Sequence, residues 1–96
     1  MARRVVVDDT VTQAYGRLAL PEDVGVILFN RLHADLSEEY DACKLNRDAE
    51  DETCFRYSIR FALHNCWHLF YFRVNDTQTD DRLFVETIAY ATRPVF

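Results

Sequence analysis

A strict two-residue alternation over residues 54–63, CFRYSIRFAL, is the feature that most constrains the fold of this chain. Large apolar side chains recur at every second position, and small or basic side chains stand between them. Because successive side chains of a strand point to opposite faces of a sheet, this pattern predicts a strand that is buried on one face only. The predicted buried set is Phe55, Tyr57, Ile59, Phe61 and Leu63, and the predicted exposed set is Arg56, Ser58, Arg60 and Ala62.

Two helices are predicted between this strand and a short β-branched strand at residues 3–8. A residue among positions 8–10 can cap the first helix, which runs to about residue 19. Pro21 then opens the second helix, with acidic residues at its positive end. We expect the two helices to form a hairpin, because they are joined at Leu20-Pro21. The second helix is indicated by apolar residues at spacings of three and four, namely Val24, Ile27, Leu28, Leu32 and Leu36.

The remaining chain reads as one loop and two more strands. Residues 41–53 are polar and acidic and lack periodicity, which is typical of a loop. Residues 67–74 and 82–92 are predicted strands, separated by a polar turn at residues 75–81. The sequence therefore predicts a single α+β domain over residues 1–96, of order β-α-α-β-β-β. Its sheet is expected to be antiparallel, with the helix hairpin packed on one face.

The stretch HNCWH, residues 64–68, has the H-x-C-x-H spacing of a metal site. If residues 64–66 form the tip of a hairpin, however, the turn destroys the alignment that three ligands at this spacing need. No motif elsewhere in the sequence supplies a fourth ligand. We therefore predict neither a metal site nor a cofactor.

The same three-residue tip decides which side chains of the next strand face solvent. With residues 64–66 in the turn, Trp67, Leu69 and Tyr71 are expected beneath the helices. His68 then emerges on the open face of the sheet, on the side of Arg56. The sequence thus predicts a surface that combines guanidinium groups with an imidazole, suited to binding phosphate and moving a proton.

Three further residues of this strand belong to the predicted surface. Phe70 and Phe72 share the face of His68, where they either stack on nucleic-acid bases or contact a partner protein or a dimer mate. Arg73 has the parity of the covered face but lies near the strand end, where its guanidinium can reach solvent.

Charge and composition limit the remaining classes of protein. The chain of 96 residues carries a net charge of -5, which disfavours non-specific binding to nucleic acid. Acidic residues concentrate at positions 35–52, so a local basic patch is compatible with the total. No apolar run reaches the ~20 residues of a membrane span, and the first residues do not form a signal sequence. We expect a cytoplasmic protein whose cysteines, Cys43, Cys54 and Cys66, are reduced.

In length and pattern the chain resembles the RelE/ParE toxin superfamily. The resemblance rests on CFRYSIRF, on WHLFYFRVND after it, and on the ending FVETIAYATRPVF. It implies a toxin of a toxin–antitoxin module that is neutralised by an antitoxin protein. RelE-like members cut mRNA on the ribosome, whereas ParE-like members poison DNA gyrase without nuclease activity.

The resemblance also implies a set of site residues. Arg56 and Arg60 match the basic strand of RelE-like members, and His68 stands at the arginine of the family pattern Y-R-x-x-Y. Tyr90 stands at the family's terminal His or Lys. Ala91 stands where the family has the arginine that follows. If the turn is shifted, Arg93 takes the place of this arginine. Phe96 replaces the final tyrosine of the family.

These matches imply a ribosome-dependent mRNA endoribonuclease or a weakened form of one. In that mechanism His68 is the base, Tyr90 is the acid, and Arg56, Arg60 and Arg93 hold the phosphate charge. The expected partners are the antitoxin and the ribosome with its mRNA, in a homodimer or a heterotetramer with the antitoxin. The alternatives are a ParE-like gyrase poison and a non-catalytic interaction module with the same fold.

Overall fold

The computed structural model describes residues 4–38, 53–76 and 81–95, and it is an α+β fold with the predicted order of elements. The elements are β1 (Arg4–Val7), α1 (Asp9–Arg17), α2 (Glu22–Glu38), β2 (Cys54–Leu63), β3 (Cys66–Asn75) and β4 (Arg82–Pro94). Nearly all of the predicted loop at residues 41–53 and most of the predicted turn at residues 75–81 lie outside the described residues. No helix of the described ranges is long and apolar enough to span a membrane.

The four strands form one sheet in the order β1-β4-β3-β2. Strands β2, β3 and β4 are joined as antiparallel neighbours, as predicted. The prediction of a wholly antiparallel sheet is wrong, because β1 pairs parallel to β4 and makes the sheet mixed. The two helices carry the chain from β1 at one edge to β2 at the other, and β3 then leads to β4, so the connection within the parallel pair β1 and β4 includes two helices and two strands.

Both helices contribute to the core on one face of the sheet. Val11 of α1 is buried, as are the α2 residues Val24, Leu28, Leu32 and Leu36, at the spacing that the sequence predicted. They pack in one cluster with the buried side chains of the strands. Tyr15 joins the helices, because its ring meets the ring of Phe29 edge-on at 5.1 Å between centroids.

Local hydrogen bonds define the ends of α1. Asp8 is its N-cap, and its carboxylate accepts from the backbone N–H of Thr10 at 2.8 Å. At the other end the N–H groups of Leu18 and Ala19 donate to the carbonyls of Tyr15 and Gly16. Ala19 closes this end with a φ of 52°, in the left-handed region that glycine normally occupies.

Three polar contacts tie α2 to β2 and to the turn that follows it. The two elements run in opposite directions, so later residues of α2 meet earlier residues of β2. The contacts are His64 Nε2 to the Asp23 carboxylate at 2.8 Å, Arg31 Nη1 to the Arg60 carbonyl at 3.0 Å, and the Tyr57 hydroxyl to the Asp35 carboxylate.

The β2–β3 hairpin has a two-residue turn. Leu63 pairs with Cys66, and only His64 and Asn65 lie between them. Their φ values of 55° and 62° are both positive, as a type I′ turn requires. The prediction that Cys66 belongs to the tip is therefore wrong, because this residue is the first of β3.

This difference of one residue moves every side chain of β3 to the other face of the sheet. His68, Phe70 and Phe72, predicted on the open face, lie beneath the helices. Trp67 and Tyr71, predicted beneath the helices, are 39% and 49% exposed on the open face. The physical reason is the side-chain period of two: a shift of one residue in the turn inverts the whole strand.

A β-bulge in β4 keeps its apolar side chains on the core side of the sheet both before and after the bulge. The register between β3 and β4 shifts once, and Glu86 is the extra, half-buried residue there. Leu83 and Val85 face the core before the bulge, and Ile88 and Tyr90 face it afterwards. Without the extra residue, the alternation of a strand would place these two pairs on opposite faces.

Candidate functional site

The structure divides the predicted catalytic residues between the two faces of the sheet. Arg56 and Arg60 are exposed on the open face, as predicted, and Arg93 is exposed on the same face opposite Trp67. His68 and Tyr90 lie on the covered face. The prediction that His68 shares a surface with Arg56 and Arg60 is therefore wrong, because the sheet separates the imidazole from these guanidinium groups.

On the covered face, His68 is held by two hydrogen bonds and two rings. The structure leaves it 6% exposed. Its Nε2 lies 3.2 Å from the carbonyl of Leu63, which can only accept, so Nε2 carries the proton. In the neutral ring, Nδ1 then accepts from the hydroxyl of Tyr90 at 2.8 Å. The rings of Phe61 and Tyr90 lie at 5.6 and 6.0 Å between centroids. Both nitrogens therefore have partners within the fold.

The two phenylalanines predicted to bind substrate are core residues. Phe70 is 0% and Phe72 is 3% exposed, and the centroid of Phe70 lies 4.8 Å from that of Tyr90. Their exclusion from solvent removes them from any surface that meets a base or a partner. Nearby, burial raises the pKa of Tyr15, and the charges of Tyr90 and Asp23 raise it further. The Tyr15 hydroxyl is therefore protonated at neutral pH.

The side of β2–β4 that the helices leave uncovered forms a basic and aromatic surface, here named the open face. Because residues directly opposite each other in a ladder share a face, the strand registers define its members. They are Arg56, Ser58, Arg60 and Ala62 from β2, Trp67, Leu69, Tyr71 and Arg73 from β3, and Thr87, Ala89, Ala91 and Arg93 from β4. This set of described residues holds four arginines, and the half-buried bulge residue Glu86 adds one carboxylate beside Thr87, because strand alternation from the buried Val85 turns it to the open side.

Arg73 belongs to this open face, although its parity predicted the covered one. Arg73 stands directly opposite Arg56 on β2 and opposite Thr87 on β4. Arg93 lies at the other end of the face, beside Trp67. Six residues of β3 separate these two ends, which corresponds to roughly 20 Å at 3.3–3.4 Å per residue. The cations therefore follow a line along the sheet and do not all converge on one point.

Two depressions mark the open face. The larger, of about 600 Å³, is lined by Arg56, Ser58, Tyr71, Arg73 and Thr87, together with neighbouring side chains of the same strands. The smaller, of about 390 Å³, lies at the β2 edge and is lined by Arg31 from α2 together with Ser58, Arg60 and Tyr71. Anionic side chains can meet guanidinium groups in both places, because a guanidinium presents several donors in a plane.

The helix side of the molecule has the opposite charge. The first turn of α1 contains Asp9, and the first turn of α2 contains Glu22 and Asp23. Exposed arginines of the described helices are limited to Arg17 and Arg31, and α2 also carries the exposed His33. The two sides of the molecule therefore differ in charge, with carboxylates mainly on the helices and guanidinium groups mainly on the sheet.

The three residues of the H-x-C-x-H stretch point in different directions. His64 contacts Asp23, Cys66 is half-buried at the start of β3, and His68 contacts Tyr90. Within the described ranges, no three metal-ligating side chains of His, Cys, Asp or Glu come together. The spacing in the sequence thus does not become a ligand cluster in the fold.

Sequence reasoning missed Trp67 and Tyr71 as members of the open face, and it included Arg73 in the predicted surface only through its place near the strand end. The signal that could have placed them is the pair His64-Asn65, since a two-residue turn with positive φ favours asparagine. Comparisons of the chain with protein-family models, with curated proteins and with solved structures gave no match. The site is accordingly defined by its own geometry, an α+β domain with a basic, aromatic sheet face.

Proposed function

We propose that this chain is a non-catalytic interaction module of RelE/ParE-like fold whose open face binds an acidic, amphipathic segment of a partner protein. In a toxin–antitoxin module this partner is the antitoxin. One observation carries the proposal: the imidazole that could serve as a general base lies on the covered face, whereas the guanidinium groups lie on the open face. The open face can therefore bind anions, but His68 cannot take a proton from a ligand bound there.

The spread of the cations supports an elongated ligand. Arginines stand at both ends of a face roughly 20 Å long, which suits a chain of carboxylates better than a single reacting phosphate. Between these ends lie Leu69, Ala89 and Ala91. Their apolar side chains, short in the two alanines, leave room for apolar side chains of the ligand. Arginine, tyrosine and tryptophan are the residues that dominate binding energy in protein interfaces.

Charge favours a protein segment over RNA. The whole chain carries -5, and part of this charge lies over the helices. A short acidic segment that stays on the open face meets mainly guanidinium groups, since charges beyond a Debye length of about 8–10 Å are screened. A longer polyanion that continues past the edge of the sheet meets carboxylates.

A second candidate, RelE-like cleavage of mRNA, is favoured by one observation. Arg56 and Arg73 are direct cross-strand neighbours and line one depression together with Tyr71, a set of side chains that fits a phosphate and a stacked base. Incubating the protein with programmed ribosomes and mapping mRNA ends tests it. Specific cleavage that is lost in Arg56→Ala, at unchanged stability, would establish the nuclease and contradict the non-catalytic proposal.

The interaction proposal is tested by co-expressing this chain with the product of a short reading frame adjacent to its gene. We expect the two polypeptides to purify as a complex. Arg56→Glu and Arg93→Glu, at opposite ends of the open face, should each weaken the complex at least tenfold, because each replaces attraction with repulsion. Arg17→Glu makes the same change of charge on α1 and is the matched control.

Two results contradict the proposal. One is the absence of a complex with the adjacent product. The other is a complex that Arg56→Glu and Arg93→Glu weaken no more than Arg17→Glu does. Titration with single-stranded RNA at the same ionic strength separates the two candidates, since we expect the adjacent product to bind more tightly than the RNA.

A further inference from the structure

Strand β2 is an edge of the sheet that the described strands form, and half of its backbone groups point away from β3. In an antiparallel ladder, every second residue directs its N–H and C=O away from the neighbouring strand. The Arg60 carbonyl is one of these outward groups: it accepts from Arg31 Nη1 of α2 at 3.0 Å, and a backbone N–H of an added strand would take the place of this donor. Since the pattern repeats every two residues, the backbone groups of Arg56 and Ser58 also face outward.

The two-residue turn independently predicts the same assignment. In such a turn Leu63 and Cys66 form the hydrogen-bonded pair that closes the hairpin. Counting back from Leu63, the backbone N–H and C=O groups of residues 61, 59 and 57 bond to β3. Those of residues 62, 60, 58 and 56 point away from β3 in the plane of the sheet. The outward residues are thus the ones whose side chains lie on the open face. A strand added at this edge would extend both the ladder and the basic surface.

A second copy of the chain does not fit this edge. Antiparallel pairing of two β2 strands centred on Ser58, which overlaps residues 54–62 of both copies, sets Arg56 of one copy opposite Arg60 of the other. Like charges directly opposite each other destabilise a sheet, and because Arg56 already stands opposite Arg73 of β3, the second copy would bring a third guanidinium into the same row. A shift of the register by one pair leaves arginines of the two copies on diagonal positions, where long side chains still meet. The arginines therefore act against self-pairing of an otherwise exposed edge.

We propose that β2 binds an extended, acidic segment of a partner protein as a fifth strand of the sheet. The segment has carboxylates at alternate positions, so that they lie on the open face beside Arg56 and Arg60. The depression of about 390 Å³ between Arg31, Ser58, Arg60 and Tyr71 receives one of its side chains. Backbone hydrogen bonds give this mode its affinity, and the alternate side chains give it specificity. The inference rests on the proposed function, because the partner is the same acidic protein.

The backbone contribution can be tested by removing one outward N–H. Ser58→Pro deletes this donor at an edge position where a sheet tolerates proline, and Ser58→Ala keeps the donor while removing the same hydroxyl. We expect Ser58→Pro to weaken the complex with the adjacent product about tenfold, and Ser58→Ala to leave it unchanged. Unfolding curves of both variants show whether the proline has altered the fold.

A test with unchanged protein uses synthetic peptides of about nine residues in which glutamate alternates with valine. N-methylation of every second residue blocks the N–H groups along one edge of the peptide. We expect methylation on one of the two alternate sets to lower affinity about tenfold more than methylation on the other, because only one edge pairs with β2. Equal loss for the two sets, or binding equal to that of the unmethylated peptide for both, would overturn strand addition.

Failure of this inference is distinguishable from failure of the proposed function. If Arg93→Glu weakens the complex and Ser58→Pro does not, the partner binds the open face without adding a strand, and the edge inference is wrong. If neither Arg56→Glu nor Arg93→Glu acts on the complex, the proposed function itself is wrong.

Discussion

The imidazole of His68 and the hydroxyl of Tyr90 are hydrogen-bonded at 2.8 Å on the face of the sheet that the helices cover. The RelE/ParE resemblance implies that these two residues act on substrate as base and acid. In this fold they satisfy each other within the core, and the carbonyl of Leu63 completes the imidazole's bonding. Their arrangement is that of a buried polar pair, which stabilises the packing of β3 against β4.

The His68–Tyr90 pair predicts a difference between two chemically identical substitutions. Tyr90→Phe removes the hydroxyl partner of a buried imidazole, so we expect it to lower the free energy of unfolding by about 1–2 kcal/mol. Tyr71→Phe removes a hydroxyl from a residue that is 49% exposed, and we expect a change within about 0.5 kcal/mol. Urea unfolding measures both. Equal effects of the two substitutions would contradict the covered position of Tyr90.

The end of α1 predicts a stabilising substitution. Ala19 has a φ of 52°, which costs a residue with a Cβ more than it costs glycine. Ala19→Gly should therefore raise the free energy of unfolding by about 0.5–1 kcal/mol. Ala34→Gly, on the exposed side of α2, is the matched control and should lower it by about 1 kcal/mol. Thermal unfolding compares the two, and a loss of stability in Ala19→Gly would show that the left-handed end of α1 is incorrect.

The N-cap of α1 predicts a dependence on acid. Hydrogen bonds from the hydroxyl and the backbone N–H of Thr10 lower the pKa of Asp8 below its ordinary value. A carboxyl whose pKa is lower in the folded state stabilises that state above the unfolded pKa, and the contribution is lost as the pH falls through the folded pKa. We expect the first turn of α1 to lose protection from amide hydrogen exchange over that acidic interval.

Asp8→Asn is the control for this effect, because asparagine caps a helix comparably well and does not titrate. The variant should keep the protection of α1 at neutral pH and should not lose it over the interval in which Asp8 is protonated. The same acid dependence in the variant and in the unchanged chain would rule out Asp8 as the source.

The bulge at Glu86 predicts that the length of β4 matters more than the identity of this residue. Deleting Glu86 would turn either the pair before it or the pair Ile88 and Tyr90 away from the core. We expect the deletion to abolish cooperative unfolding and Glu86→Gln to retain it. A deletion variant with an unchanged transition would show that the register shift is wrongly placed.

The sequence predicted elements well where one face of an element is polar. The alternation in β2 and the spacing in α2 each fit only one assignment of the buried face, and both assignments were predicted correctly. β3 has no such signal, because Trp67, Leu69 and Tyr71 on one parity are as apolar as Phe70 and Phe72 on the other. Its orientation depends on the length of the turn, and an error of one residue there transferred the imidazole to the wrong face.

Two other features depend on interactions distant in sequence. β1 pairs with β4 across most of the chain, and nothing in its run of valines specifies a parallel neighbour. In the sequence, the bulge at Glu86 appears only as a change from odd-numbered to even-numbered core residues between Val85 and Ile88. This change can be interpreted only when the pairing of β4 with β3 is known. The arginines of the open face were predicted on β2, whereas Arg73 required the correct register of β3.

The orientation of β3 is the claim on which the open face depends, and the fluorescence of Trp67 tests it most directly. The chain contains one tryptophan, so its emission and its quenching by acrylamide report on this side chain alone. With Trp67 39% exposed on the open face, we predict that acrylamide quenches its emission in the folded protein and that this emission is red-shifted relative to that of a buried indole. Blue-shifted emission that acrylamide quenches only after unfolding would place Trp67 beneath the helices and contradict the account.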